Sequence, residues 1–148
     1  MIKDKEEILN EIKNDALENH VPILQDVSLN LIETILDIKK PNRILEIGSA
    51  VGYSAIKFSK FLSGENSKIK TIELKENMYN IAKENIKKME LEDKIEIINA
   101  HATKYLSTID EKIEQFDVVF IDAAKGQYLV FLKEALRLVK IGGVIIAD

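Results

Sequence analysis

Arg43-Ile44-Leu45-Glu46-Ile47-Gly48-Ser49-Ala50-Val51-Gly52-Tyr53-Ser54 is the stretch on which the reading of this chain turns. Its apolar run is too short for a helix, breaks at Gly48 and passes through small residues to Gly52, where helical periodicity begins. That pattern reads as strand, tight turn and helix N-terminus. Gly48 has no Cβ to keep a ligand away from the backbone, and the first amides of the helix point above the strand, so the turn is a nucleotide cradle. Glu46, at the strand's carboxyl end, is expected to face the same crevice, where it would repel a pyrophosphate and tolerate a ligand with a cationic end. The dinucleotide fingerprint asks for three glycines as G-x-G-x-x-G, and this turn has two, separated by three residues.

Before this turn the chain reads as two helices. The first carries Ile8, Ile12 and Ala16 on one face, ends near Asn19-His20, and is expected to act as a lid or an interface. The second is expected to start at Pro22 and to pack on a sheet through a stripe of Leu24, Val27, Leu31, Ile35 and Ile38, until Lys39-Lys40-Pro41 stops it. His20, beside a helix start, reads as a surface or capping residue.

Beyond the turn, Val51, Ala55, Phe58 and Leu62 predict a helix that ends at Ser63-Gly64. A second strand, Lys68 to Glu73, leads into a helix with Met78, Ile81, Ala82, Ile86 and Met89 on one side. Three more strands are predicted over Lys94 to Asn99, Phe116 to Ile121 and Val144 to Ala147, with helices over Thr103 to Ile113 and Gln127 to Val139. This βαβ alternation predicts an α/β, doubly wound, Rossmann-like fold, its strands parallel in the order 3-2-1-4-5 with helices on both faces. Residues 1–40 would supply the N-terminal helices and 41–148 the core of one domain. Function then belongs at the carboxyl ends of the strands, which carry Glu46, Glu73, Ala100-His101-Ala102, Asp122 and Asp148.

The 148 residues are 46% hydrophobic and 31% charged, enough chain for one domain with a real core. Without Cys there is no disulfide framework, thiolate nucleophile or Cys zinc site. No signal-like or membrane-length apolar run is present, so the expected location is cytoplasmic, with no membrane partner. A net charge of -4, with 21 basic residues scattered among 25 acidic ones, argues against a protein that coats nucleic acid electrostatically and leaves room only for a local basic face.

Two residue types at the strand ends point to chemistry. Glu73, a little over twenty residues beyond the first glycine, is placed to accept both hydroxyls of a ribose. Asp122 and Asp148 end strands expected to be neighbours, and carboxylates so close raise each other's pKa unless a cation sits between them, which suits Mg²⁺ or a similar hard ion.

Three segments, Glu46 to Ser54, Ile121-Asp122-Ala123-Ala124-Lys125-Gly126-Gln127-Tyr128, and Gly142 to Asp148, together resemble the cation-dependent class I O-methyltransferases that include catechol and caffeoyl-CoA O-methyltransferases. Within that family, Asn19-His20-Val21-Pro22-Ile23 and the wording Asp122 to Tyr128 are most similar to the bacterial tRNA 5-hydroxyuridine methyltransferases. The resemblance implies that S-adenosylmethionine is held by Gly48, Ser54 and Glu73, with Leu24, His101 and Ala102 closing on its methionine and adenine ends. It implies Mg²⁺ on Asp122 and Asp148, and Lys125 as base or electrostatic partner beside Asp122. Many relatives have Asp where His101 stands.

The implied reaction is metal-assisted methyl transfer to a hydroxyl, that of 5-hydroxyuridine at the tRNA wobble position or that of a small catechol-like phenol, carried out by a homodimer. A nucleotide-dependent oxidoreductase and a non-catalytic RNA-binding module are the alternatives from other classes. Because Asp148 directly follows a buried-type strand, the chain is expected to be a fragment that lacks the family's last two strands and the Asn ligand after the second Asp. Its fifth strand would then be an apolar edge prone to pairing, with weak metal binding and little turnover.

Overall fold

The computed structural model describes residues 2–122 and 125–148, without the side chain of Lys125. Two helices come first, α1 (Lys5–Glu18) and α2 (Asp26–Lys39). Strand β1 (Arg43–Ile47) follows, then α3 (Tyr53–Ser59), β2 (Lys68–Glu73), α4 (Glu76–Lys88), β3 (Ile95–Asn99), α5 (Ala102–Leu106) and β4 (Phe116–Ile121). A 3₁₀ turn (Lys125–Gln127) leads into α6 (Tyr128–Leu138) and β5 (Val139–Ala147). The sheet has the order β3-β2-β1-β4-β5, with every pairing parallel, as the alternation predicted. No helix among the described residues is long and apolar enough to cross a membrane.

The central strands are apolar because both of their faces are covered. Ile44, Ile69, Val118 and Phe120 meet α1, α2, α3 and α4 on one face, while Leu45, Ile47, Ile72, Val119 and Ile121 meet α5 and α6 on the other. Phe58 of α3 stacks edge-on against Phe120 of β4, ring centroids 5.5 Å apart, which fixes α3 over the middle of the sheet.

Several boundaries and one helix face differ from the sequence expectations. Helix α1 starts at the N-cap Asp4, whose carboxylate accepts the Glu7 amide at 2.8 Å, and it buries Ile12 and Ala16 in the core rather than standing off as a lid. Pro22 lies in a connection, residues 21–25, that is neither helix nor strand, and α2 begins only at Asp26. The buried residues of α2 are Leu29, Ile32 and Leu36, while Val27, Leu31 and Ile38 of the expected stripe are 81%, 64% and 78% exposed. This helix has apolar residues on two faces at helical spacing, so periodicity could not choose between them. Helix α3 ends at Ser59, earlier than expected, and α5 covers five residues where a helix to Ile113 was predicted. Strand β5 begins at Val139: Val139 pairs with Phe116 and Val144 with Val118, so residues 140–143 bulge opposite Asp117.

Candidate functional site

The Gly48 turn is built on β2. The Gly48 and Ser49 amides both donate to the Ile72 carbonyl, at 2.9 and 3.2 Å, and the Gly52 amide closes the turn on the Ser49 carbonyl at 2.8 Å. Gly48 has φ +100°, and a Cβ there would lie 2.1 Å from the backbone oxygen of Asp122. Only glycine combines that conformation with so close an approach of β1 to the end of β4. The Asp122 amide in turn donates to the Ile47 carbonyl at 2.9 Å.

Glu73 ends β2 and is already oriented. Its Oε1 accepts the Ala50 amide at 2.7 Å and its Oε2 accepts the Lys75 amide at 2.9 Å. A carboxylate has about four acceptor positions, so two remain for a ligand's hydroxyl groups. Ala50 itself is in the left-handed region at φ +46°, so the turn that Glu73 holds is a strained one.

Glu46 is placed differently from the sequence expectation. It points to the α3 side of the sheet, is fully buried, and lies under the turn rather than in the open crevice. Its carboxylate accepts hydrogen bonds from Ser54 of α3 and, at 2.6 Å, from Thr71 of β2, the residue opposite it in register. Burial pushes the carboxyl up to about 7 against the pull of these two hydroxyls, and the charges of Asp122 and Glu73 add to the rise. The backward pattern in β2, Ile69-Lys70-Thr71-Ile72, was the available signal for Thr71: a hydroxyl inside an apolar strand needs a buried partner.

Above the turn, three adjoining cavities share Pro22, Gly48 and Asp122. The largest, about 520 Å³, runs over the carboxyl ends of β1, β2 and β3 past Glu73, His101 and Ala102 to Gln127 and Phe131 at the start of α6. A second, about 210 Å³, brings Glu73, Asp122 and Asp148 to one space. The smallest lies against Leu24, Ser49 and Ser54. The structure therefore brings Leu24, Gly48, Ser54, Glu73, His101, Ala102, Asp122 and Asp148 to one crevice and puts Glu46 beneath it. The side chain proposed for Lys125 lies outside the described residues. Pro22 and Ile23, Leu74 and Lys75, and Gln127 and Phe131 also line the crevice and were not singled out as site residues from the sequence.

Asp122 and Asp148 sit side by side because Ile121 pairs with Ala147 and the Asp148 amide donates to the Ile121 carbonyl at 3.0 Å. Burial, and then the charge of Asp148, hold the Asp122 carboxyl above the usual carboxylate range. Two carboxylates brought to one space, Asp122 held up by the charge of its neighbour, are the kind of oxygen donors that fit a hard divalent cation. Among the described residues no cluster of three or more His, Cys, Asp or Glu is positioned to hold a metal, so the two carboxylates stand here as a pair. His101 is exposed at the crevice wall, its Nδ1 2.9 Å from the Thr103 hydroxyl.

Residues 2–148 match the O-methyltransferase family model. The chain is 32% identical over 130 residues to caffeoyl-CoA O-methyltransferase of Populus kitakamiensis, covering 86% of this chain and 54% of that protein. It is 30% identical over 118 residues to catechol O-methyltransferase of Niastella koreensis, covering 79% of this chain and 53% of that protein. The structure of an O-methyltransferase from Bacillus cereus in complex with S-adenosylhomocysteine superposes with a TM-score of 0.87 at 32% identity, covering 99% of this chain and 66% of that one. The chain thus spans about half to two thirds of the length of these relatives. With the family model matched over residues 2–148 and the strand order and fold shared with the superposed O-methyltransferase, the chain belongs to the O-methyltransferase family.

Proposed function

We propose that this chain carries the cofactor crevice of an S-adenosylmethionine-dependent, cation-assisted O-methyltransferase whose acceptor presents two adjacent oxygens. The observation that carries the reading is the convergence of the Gly48 turn, the oriented Glu73 and the Asp122–Asp148 pair on one crevice. Glu73 would accept the ribose hydroxyls with its two remaining acceptor positions, Leu24 and Ser54 would bound the methionine end, and His101 and Ala102 would flank the base. Glu46, beneath the turn, would act on the cationic end through Ser54 and through its field. Asp122 and Asp148 would hold the cation, which when bound supplies acidity and alignment to the acceptor hydroxyl. In the transfer an oxygen–methyl bond forms as the sulfur–methyl bond breaks, and the hydroxyl proton leaves to a base, the role proposed for Lys125. Holding donor and acceptor in line would provide much of the rate.

Of acceptors with adjacent oxygens, we take 5-hydroxyuridine in the anticodon region of tRNA as the reading supported by the wording of residues 19–23 and 122–128. A catechol-like phenol is the second reading, favoured by the names of the relatives. A cytoplasmic homodimer is the setting proposed for either. Transfer of labelled methyl from S-adenosylmethionine to hypomodified tRNA, run against a catechol with Mg²⁺ or with chelator, tests the proposal. Cation-dependent label in tRNA is expected. Label in catechol alone selects the second reading, and equal label with chelator present contradicts the role given to Asp122 and Asp148.

A further inference from the structure

Thr71 is fully buried in a strand whose neighbours Ile69 and Ile72 belong to the apolar core. Its hydroxyl lies 2.6 Å from Glu46 Oε1 and 2.5 Å from Ser49 Oγ, so it bridges the end of β1 to the residue after Gly48. We propose that Thr71 is a positioning residue for the cofactor turn, acting through Ser49 and Glu46 on the wall of the crevice; this rests on the function proposed above.

The proton order follows from the chemistry of the groups. With Glu46 ionised, as it is above about pH 7, threonine's one hydroxyl proton is donated to it, which leaves Ser49 as the donor to Thr71. Ser54 donates to the other oxygen of the same carboxylate. Three hydroxyl protons are thereby drawn inward, and Ser49 and Ser54, which line the smallest cavity, turn lone pairs toward it. A wall of acceptors suits an ammonium group. Without the Thr71 hydroxyl, Ser49 loses its acceptor, Glu46 Oε1 is left buried and unpaired, and the turn is no longer tied to β2 by a side chain at this point.

Calorimetric titration with S-adenosylhomocysteine tests this on Thr71→Val, which keeps the shape and removes the hydroxyl, and on Thr71→Ser, which restores it. Thr71→Val is expected to weaken binding roughly tenfold, and Thr71→Ser to bind within about threefold of the unsubstituted chain. A rescue of this kind separates positioning from loss of bulk, because serine has less volume than valine. Ser49→Ala, at the outer end of the bridge, is expected to weaken binding roughly fivefold, and in combination with Thr71→Val to add little to it. Thr71→Val within about twofold of the unsubstituted chain, or Thr71→Ser as weak as Thr71→Val, overturns the assignment. If circular dichroism shows Thr71→Val unfolded, Ser49→Ala decides alone, and unchanged affinity there overturns the assignment. Absence of binding by the unsubstituted chain overturns the function reading and this one with it, whereas binding indifferent to both residues overturns this one only.

Discussion

Strand β4 carries an aspartate near each end, and the two are held in opposite ways. Asp117, at the start, accepts the Asn42 and Arg43 amides at 2.9 Å each and lies 3.3 Å from the Lys140 ammonium. Burial pushes its carboxyl upward, but those donors outweigh it and hold it below the ordinary range. Nearby, Glu114 is paired with Arg43 and, at 3.0 Å, with Lys70. Asp122, at the other end, faces Asp148 and is held above the ordinary range by burial and by that charge. At the amino edge every carboxylate of this group meets a cation or amides and ties β1, β4 and β5 together. At the carboxyl edge Glu46, fully buried, and Asp122, partly buried, have no paired cation among the described residues. Compensated carboxylates tie the amino edge together, whereas carboxyls pushed upward without a cation at the carboxyl edge are what the proposed function assigns to ligand binding.

Gly48→Ala should break the carboxyl edge most severely. The new Cβ meets the Asp122 carbonyl in a conformation that disfavours side chains, so a loss of at least about 3 kcal/mol and no measurable S-adenosylhomocysteine binding are expected. Denaturant unfolding and calorimetry check both, and near-normal binding would show that the turn is not the cradle.

A smaller and reversible effect belongs to Glu46. Its folded carboxyl titrates at about 7 against 4.5 unfolded, so the folded state binds the extra proton between those values. Stability from this group is therefore full below about pH 4.5 and is lost as pH rises toward 7, by roughly 3 kcal/mol, with Asp122 acting in the same direction. Unfolding free energy measured from pH 5 to 8 should fall, and Glu46→Gln should flatten the fall; a parallel slope in the variant would place the titration elsewhere.

The two aspartates of β4 then give the sharpest contrast. Asp117→Ala leaves two amides and Lys140 without their acceptor and should cost about 2 kcal/mol, with S-adenosylhomocysteine affinity intact in the folded protein. Asp122→Asn relieves repulsion with Asp148 and should change stability by less than about 1 kcal/mol at pH 8, while removing any stabilisation by added Mg²⁺. If Asp122→Asn destabilised as much as Asp117→Ala, the distinction between the two edges would fail.

Much of this layout was legible in the sequence because each strand is a short apolar run ended by a carboxylate or a small residue, and parallel topology sends all those ends to one edge. Glu46, Glu73, Asp122 and Asp148 could be placed on that edge by counting alone. What counting could not supply was the side toward which Glu46 points, since that depends on α3 closing over it with Ser54. It could not choose the buried face of α2 either, where Leu29, Ile32 and Leu36 compete with an equally regular stripe. The start of β5 was hidden for another reason: Gly142-Gly143 reads as a turn, yet the strand runs through it as a bulge, where a Cβ on Gly143 would lie 2.8 Å from the Asp117 carbonyl. Proline suits the first turn of a helix, but its fixed φ is equally at home in a connection such as residues 21–25, where Pro22 lines the crevice.

The central claim is that the crevice above Gly48 and Glu73 binds the methyl donor's nucleoside. Calorimetric titration of S-adenosylhomocysteine into the chain and into Glu73→Ala tests it most directly. Binding by the unsubstituted chain is expected, weakened by about 1 to 3 kcal/mol in the variant, the cost of losing charge-assisted hydrogen bonds to the ribose. Equal affinity in the two proteins, or NAD bound in preference to S-adenosylhomocysteine, would contradict it.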